Sequence, residues 1–322
     1  MPLNFNSSKT NTGNPDTAQK SKASEKPTID FIVSSPKYTF DDLILSKSVL
    51  DELDTVVGAQ KCWNKVFSEW NLGSVMRDKT NLLVNLYGDP GTGKTMAAHA
   101  IAHDLNKEIL CVNYADVESK YVGETGKNLM ALFEFAKSRD VIIFFDEADA
   151  LLSKRVTNMN NATDVSVNQT RSVLLTLLNE YKGMVIFATN FVSNYDPAFM
   201  RRIQYHVRFR LPDKMLREKL WRKYIPREML TDLNYVEIAE EFSDISGSDI
   251  STAVLNAALR AAKNNEGMVK SEYFCEAIKS VIDSKKANAG SDDITVTTRE
   301  VSEEYVKEKV RKGAKLVDLT KK

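Results

Sequence analysis

One short loop carries the clearest chemical signal in the chain. Residues 88–95 read Gly-Asp-Pro-Gly-Thr-Gly-Lys-Thr, which fits the phosphate-binding pattern G-x-x-x-x-G-K-S/T between an apolar strand and a helix. Its glycines let the backbone curl so that N–H groups converge on phosphate oxygens. Lys94 can then reach the β- and γ-phosphates of a nucleotide, and Thr95 can hold Mg²⁺. The residues expected to bind the nucleotide are Gly88, Asp89, Pro90, Gly91, Thr92, Gly93, Lys94, Thr95 and Met96.

Two carboxylates follow another apolar run about fifty residues after the loop. Residues 141–145 are Val-Ile-Ile-Phe-Phe, and Asp146 and Glu147 come next. A continuous apolar run is typical of a strand buried on both faces, and ligands of such sheets bind beyond the carboxyl ends of the strands. We expect Asp146 to orient Mg²⁺ and Glu147 to activate the attacking water. The alternative is two solvated carboxylates at a strand end.

Three further polar residues fit the same chemistry. Asn190 follows the apolar run 184–189, where a neutral amide can hydrogen-bond a water or a γ-phosphate oxygen. Arg201 and Arg202 are paired and could spread over the phosphate charge that grows during transfer. Taken alone, Asn190 is a common turn residue and the arginines are ordinary surface charges.

The elements that must position these residues alternate along residues 38–212. Apolar runs predict strands at 82–87, 109–113, 141–145, 184–189 and 205–209. Helical patterns lie near 48–69, 94–106, 125–138 and 168–181. This alternation predicts an α/β fold, a parallel sheet with helices on both faces. Only helical patterns follow, and they predict a small all-α lid; they lie near 213–224, 234–242, 248–264 and 271–283.

Composition divides the chain into four segments. Residues 1–36 are rich in Asn, Ser, Thr, Lys and Pro, which predicts a disordered tail. The large α/β domain is expected at 37–212 and the helical lid at 213–284. Residues 285–322 are expected to be a linker and a C-terminal helix, which would begin after a capping box at Thr297.

Charge and cysteine usage exclude several classes of protein. The 322 residues contain 44 Lys plus Arg and 44 Asp plus Glu, so the zero net charge gives no general affinity for nucleic acid or anionic membranes. No apolar stretch approaches the roughly 18 residues of a membrane helix, and no signal peptide begins the sequence. Cys62, Cys111 and Cys275 fit neither a disulfide framework nor a zinc site. A cytoplasmic location with reduced thiols is the simplest interpretation.

Residues 38–283 together resemble the AAA+ ATPases, in particular the subgroup of katanin, spastin and the ESCRT-disassembling ATPases. The resemblance implies ATP and Mg²⁺ as ligands and a ring of identical subunits, usually a hexamer. The loop 88–95 resembles Walker A, Asp146 and Glu147 resemble Walker B, and Asn190 resembles sensor 1.

The same resemblance gives roles to residues outside the sheet edge. Arg201 and Arg202 resemble arginine fingers that reach the ATP of the next subunit. Residues 246–250, Ser-Gly-Ser-Asp-Ile, resemble the lid signature that replaces the sensor 2 arginine in this subgroup. Gly247 and Ser248 would then lie beside the nucleotide.

Residues 119–124 resemble the aromatic–apolar–glycine pore loop that grips a translocating polypeptide. An aromatic ring supplies contact area with few rotatable bonds. The residues expected to thread a client are Lys120, Tyr121, Val122 and Gly123. The alternative is a Tyr121 that merely packs against a helix start. The polar, Asn-rich residues 156–168 lie where a second pore loop would be.

The sequence therefore favours an ATP-hydrolysing ring motor that remodels or unfolds a protein client. A DNA-directed AAA+ protein, such as a clamp loader or initiator, is the second hypothesis, against which the zero net charge and the missing sensor 2 arginine argue. Residues 124–127, Glu-Thr-Gly-Lys, are similar to the Glu-x-Gly-Lys of bacterial HORMA-domain remodellers, relatives of the pachytene-checkpoint ATPase, in antiphage defence. The alternative client system is the contractile injection particle.

Overall fold

A six-stranded sheet forms the centre of the computed structural model, which describes residues 31–77, 81–113, 124–153, 162–190 and 195–289. The strand order is β1-β3-β4-β5-β2-β6. Strands β2 to β6 are parallel, and β1 pairs antiparallel with β3. The strands are β1 Val33–Ser34, β2 Leu82–Gly88, β3 Ile109–Asn113, β4 Ile142–Asp146, β5 Met184–Thr189 and β6 Tyr205–Phe209. The five strands predicted from apolar runs are thus confirmed.

The central strands are apolar because both of their faces are covered. Every residue of β5 is buried, as are most residues of β2 and β4. Since β4, β5 and β2 are neighbours and run parallel, their carboxyl ends meet at one edge of the sheet. The segments that follow these three strands carry most of the residues singled out in the sequence.

Helices cover both faces of this sheet. One face packs against α3 and α5 through Leu132 and Leu174, and the other packs against α1 and α2 through Leu53 and Ile101. The helices of the sheet-bearing part are α1 Lys47–Asn64, α2 Lys94–Asp104, α3 Glu124–Arg139, α4 Asp149–Leu152, α5 Ala162–Glu180 and α6 Pro197–Met200. This arrangement confirms the predicted α/β class.

A separate helical part follows β6. It consists of α7 Lys214–Tyr224, α8 Tyr235–Glu241, α9 Gly247–Lys263 and α10 Ser271–Ala289. These helices enclose their own core, in which the rings of Trp221 and Phe274 meet edge to face at 6.2 Å. The predicted all-α part is therefore present, while a domain boundary at residue 212 stays a prediction.

The predicted disordered tail is wrong at its C-terminal end. Val33 and Ser34 pair with Leu110 and Ile109 as the short strand β1. The ring of Phe31 lies 5.4 Å from that of Phe135 in α3. Phe31 and Val33 alternate along an extended chain, so both reach the same apolar face, and this packing outweighs the polar composition of the preceding residues. Residues 1–30 lie outside the described residues.

Two other boundaries also differ from the sequence prediction. Helix α10 continues to Ala289, so a linker beginning at residue 285 is wrong. Residues 285–289 are Lys-Lys-Ala-Asn-Ala, and Lys and Ala are good helix formers. Helix α5 begins at Ala162, so residues 162–168 of the expected second pore loop are helical. Residues 290–322, with the predicted C-terminal helix, are not among those described.

Candidate nucleotide-binding site

The phosphate-binding pattern forms a tight turn between β2 and α2. Gly88, Gly91 and Gly93 have positive φ angles of 129°, 72° and 101°, which glycine adopts readily. A Cβ atom on Gly88 would lie 1.9 Å from the carbonyl oxygen of Phe209 in β6. The amide of Asp89 donates to that same oxygen at 3.3 Å. The loop therefore rests directly on the neighbouring strand, and only glycine fits at position 88.

Lys94 is folded into this loop at the first residue of α2. Its side chain is buried, and Nζ donates to the carbonyl oxygens of Gly88 at 2.9 Å and Asp89 at 2.8 Å. Burial lowers the pKa of Lys94, while the charges of Asp146, Asp149 and Asp89 act in the opposite direction. An ammonium group and the N-terminus of α2 thus converge on one point, an arrangement that attracts phosphate.

The predicted metal-binding side chains are in contact with each other. Thr95 Oγ1 donates to Asp146 Oδ2 at 2.9 Å, and Asp146 Oδ1 accepts from the backbone N–H of Glu147 at 3.0 Å. A hydroxyl and a carboxylate are oxygen donors of the type that Mg²⁺ prefers when phosphates complete its shell. The residues present therefore fit a magnesium ion.

Glu147 lies at the same sheet edge, just beyond the end of β4. Its side chain is exposed and its φ angle is 50°, in the left-handed region that non-glycine residues rarely adopt. The backbone therefore turns sharply after Asp146. This turn leaves the second carboxylate of the pair open to solvent, as a group that activates water requires.

Asp149 joins the ends of β4 and β5. It begins α4, and its Oδ1 accepts hydrogen bonds from Thr189 Oγ1 and, at 3.1 Å, from the backbone N–H of Asn190. Asn190 is thereby held at the same edge as Asp146. The sequence prediction gave Asp149 no role. The available signal was its place as the third carboxylate of the run Asp-Glu-Ala-Asp at residues 146–149.

The helical part reaches the loop through the turn that opens α9. The N–H of Ser248 donates to the carbonyl oxygen of Gly91 at 3.2 Å. A Cβ atom on Gly91 would lie 2.6 Å from Ser246 Oγ and 2.8 Å from Ser248 Cβ. Gly247 and Ser248 therefore lie against the phosphate-binding loop, while their contact with a nucleotide stays a prediction.

A cavity of about 720 Å³ opens beside the loop. Gly93 and Met96 form one wall, the helical part contributes Tyr224, and Tyr38 and Ile44 belong to the segment before α1. Such a volume is typical of small-molecule pockets. The sequence prediction missed the segment before α1, whose apolar residues Phe40, Leu43, Ile44 and Leu45 were the available signal.

The paired arginines lie at the C-terminal end of α6. Arg202 donates to Asn179 Oδ1 at 2.9 Å and to the carbonyl oxygen of Ala198 at 2.8 Å. Arg201 is exposed at the end of α6. Among the described residues that line the cavity, neither arginine is found.

The predicted pore-loop residues lie outside the described residues; they are Lys120, Tyr121, Val122 and Gly123. In the part of the chain that the structure covers, no helix has the length and apolar character needed to span a membrane.

Comparison with known proteins gives a consistent picture. The family model "ATPase family associated with various cellular activities (AAA)" matches residues 84–211. The chain is 35% identical over 193 residues to ATPase family gene 2 protein of Schizosaccharomyces pombe, which covers 58% of this chain and 24% of that protein. It is 31% identical over 265 residues to proteasome-activating nucleotidase of Pyrococcus furiosus, covering 79% of this chain and 64% of that protein.

A third relative is 26S proteasome regulatory subunit 6A of Saccharomyces cerevisiae, 33% identical over 208 residues, or 61% of this chain and 47% of that protein. The chain thus spans less than two thirds of the length of each of these relatives. Their names are not those of katanin, spastin or HORMA-domain remodellers, so that subgroup finds no support in them and stays a prediction. The matched segment extends from within β2 to just beyond β6 and so includes the loop, the acidic strand end and Asn190; over these residues the chain is similar to the AAA family of ATPases.

Proposed function

We propose that this chain binds ATP with Mg²⁺ at the loop 88–95, hydrolyses it, and works as a ring motor, a hexamer, that remodels a protein client. One observation carries the proposal: Thr95, next to the phosphate-binding Lys94, is hydrogen-bonded to Asp146 of the acidic strand end. The phosphate-binding and the hydrolytic groups are therefore already adjacent within one chain.

The loop binds the triphosphate by exchanging partners. Lys94 Nζ donates to two loop carbonyls in the structure and turns to phosphate oxygens when the nucleotide binds. The backbone N–H groups of the loop donate to the phosphate oxygens as well. Thr95 and Asp146 would hold Mg²⁺, which neutralises phosphate charge when bound. The adjoining cavity has room for the base and ribose.

Hydrolysis then requires a base and a group that orients water. Glu147 accepts the proton of the attacking water, and the Asn190 amide, whose backbone Asp149 holds, positions that water against the γ-phosphate. Arg201 and Arg202 act on the ATP of the neighbouring subunit, a role that suits the exposed Arg201 at the end of α6.

A protein client is favoured over DNA by two observations. Two of the similar proteins are named for the proteasome, a protein-degrading machine, and the chain has no net positive charge. Tyr121 would grip the client in the pore. For the client itself we keep the two hypotheses that the sequence raised, a HORMA-domain protein in antiphage defence and a component of a contractile injection particle.

The variant Glu147→Gln tests the catalytic part of the proposal. It should bind ATP as the wild type does and hydrolyse it at least about 100-fold more slowly, because the amide cannot accept the proton of water. Glu134→Gln, at an exposed position on α3, is the matched control and should keep full activity. Binding is measured by titration with a fluorescent ATP analogue and turnover by phosphate release. Normal turnover in Glu147→Gln would reject Glu147 as the base.

The same assay separates the two client classes. ATPase activity of the wild type is measured with a permanently unfolded protein and, in parallel, with single- and double-stranded DNA. Stimulation by the unfolded protein alone supports the remodelling motor, whereas stimulation by DNA alone supports the clamp-loader or initiator type. Retention by Glu147→Gln of a purified HORMA-domain protein, compared with a purified injection-particle subunit, then distinguishes the two proposed clients.

A further inference from the structure

A buried carboxylate connects the turn that opens α9 with the last described helix. Asp249 Oδ2 accepts from the backbone N–H of Ser246 at 2.7 Å and from Ser246 Oγ at 2.8 Å. The same oxygen accepts from Lys285 Nζ at 2.5 Å. The side chain of Asp249 is 8% exposed and that of Lys285 is 51% exposed. A charge as buried as Asp249 needs such partners, and Lys285 of α10 supplies the positive one.

This turn is also the one that touches the phosphate loop. Ser246 Oγ and Ser248 Cβ border Gly91, and the N–H of Ser248 donates to the Gly91 carbonyl oxygen. Asp249 is thus one residue from a direct contact with the loop. A chain of three contacts joins the C-terminal end of α10 to the candidate nucleotide site. Lys285 contacts Asp249, Asp249 contacts Ser246, and Ser246 borders Gly91.

We propose that Lys285 is a positioning residue for nucleotide binding, acting through Asp249 on the turn 246–248. The inference rests on the proposed function, and it deepens it by giving α10 a part in the site. Lys285 acts in two ways. It fixes the carboxylate that holds Ser246, and it offsets a negative charge close to where polyphosphate binds. Without Lys285, the carboxylate of Asp249 has no cationic partner and lies close to the negatively charged phosphates of the nucleotide.

The test is the affinity for ADP of Lys285→Met, measured by calorimetric titration of the full chain. Because Lys285 is half-exposed, we expect its removal to weaken ADP binding about three- to tenfold. Lys285→Arg, which keeps the charge, should restore most of the affinity. Lys286→Met, at the adjacent exposed position, should change it by less than about twofold.

Two further measurements distinguish positioning from a general loss of structure. Raising the salt concentration should shrink the difference between wild type and Lys285→Met, since screening weakens the pair. In the Asp249→Asn background, Lys285→Met should have no additional effect, because the two residues act as one unit.

The inference is overturned if Lys285→Met binds ADP as tightly as the wild type, or if Lys286→Met loses as much ADP affinity as Lys285→Met. It is also overturned if Lys285→Met lowers the ADP affinity of Asp249→Asn as much as it lowers that of the wild type. A wild-type chain that binds neither ADP nor ATP would instead reject the proposed function, and the inference with it.

Discussion

At the scale of the residue, the site depends on a glycine, Gly88, whose surroundings leave no room for a side chain. Gly88 combines a φ angle of 129° with a carbonyl oxygen 1.9 Å from any added Cβ. Lys94 and Thr95 follow at fixed spacing, so a shift at position 88 moves both of them. The position of the phosphate-binding loop is therefore set by its contact with β6 as well as by the φ angles of its own glycines.

Gly88→Ala should destabilise the protein by about 1–3 kcal/mol, since it combines a strained φ with a clash against backbone that cannot give way. Gly267→Ala is the control, because an added Cβ there meets nothing within 4 Å, and we expect a change within about 0.5 kcal/mol. Urea unfolding followed by circular dichroism measures both. Equal stability of the two variants would contradict the tight approach of Phe209 to the loop.

Most residues of the candidate site could be predicted from the sequence because their spacing follows a backbone requirement. Gly88, Lys94 and Thr95 form one motif, and Asp146 follows directly from a buried strand. Asp149 was missed since its partners, Thr189 and the N–H of Asn190, are forty residues away and adjacent only in the folded sheet.

At the scale of the element, His99 ties the N-terminal segment to α2. His99 is buried, its Nδ1 accepts from the N–H of Lys37 at 3.3 Å, and its Nε2 lies 3.8 Å from Cys111 Sγ. Burial lowers the pKa of His99 below its usual 6.5, the charge of Lys37 lowers it further, and that of Asp146 raises it. The neutral ring is therefore the form that holds the segment.

This gives a prediction for the pH dependence of stability. Because its pKa is lower in the folded state, the contribution of His99 is fully present above the unfolded value of about 6.5 and is lost as the pH falls below it. The unfolding free energy of the wild type should therefore decrease more between pH 7 and pH 5 than that of His99→Gln. His206, whose pKa burial also lowers, is retained in both proteins and cancels in the comparison. Identical slopes would show that His99 does not titrate differently on folding.

The elements themselves were predictable where apolar patterns are long and less so where they are short. The clearest of the five parallel strands are β2, β4 and β5, whose apolar runs are buried almost throughout. Strand β1 has two residues and begins at the end of the short apolar run 31–33, and its pairing with β3 is a tertiary contact that local composition cannot reveal. The start of α5 was missed for the related reason that its first turns are polar and lack an apolar stripe.

At the scale of the whole molecule, the proposal requires that one subunit completes the site of the next. Arg202 is hydrogen-bonded to Asn179 and Ala198, and Arg201 lies exposed beside it, so we expect neither arginine to act on the nucleotide of its own chain. A ring in which each copy offers this surface to its neighbour would give every site its arginines.

Mixing two inactive variants tests this requirement. Glu147→Gln has intact arginines, and the double variant Arg201→Ala/Arg202→Ala has an intact Glu147, so each should be inactive alone. In an equal mixture about a quarter of the seams combine both intact halves, and ATPase activity should recover to about that fraction of the wild type. A mixture of Glu147→Gln with Lys94→Ala, which forms no complete site, is the control. Absence of recovery in the first mixture would contradict hydrolysis across a subunit boundary.

The phosphate-binding loop is hydrogen-bonded both to the end of β6, just before the helical part, and to the helical part itself. Phe209, just before it, accepts from Asp89, and Ser248, within it, donates to Gly91, so two backbone hydrogen bonds of 3.3 and 3.2 Å meet the loop two residues apart. The 38 residues between Phe209 and Ser248 therefore form a segment whose two ends both contact the phosphate-binding loop. Since Phe209 belongs to the sheet, a rotation of these helices about the segment after β6 must lengthen the Ser248–Gly91 hydrogen bond, so the movement acts directly on the phosphate-binding loop.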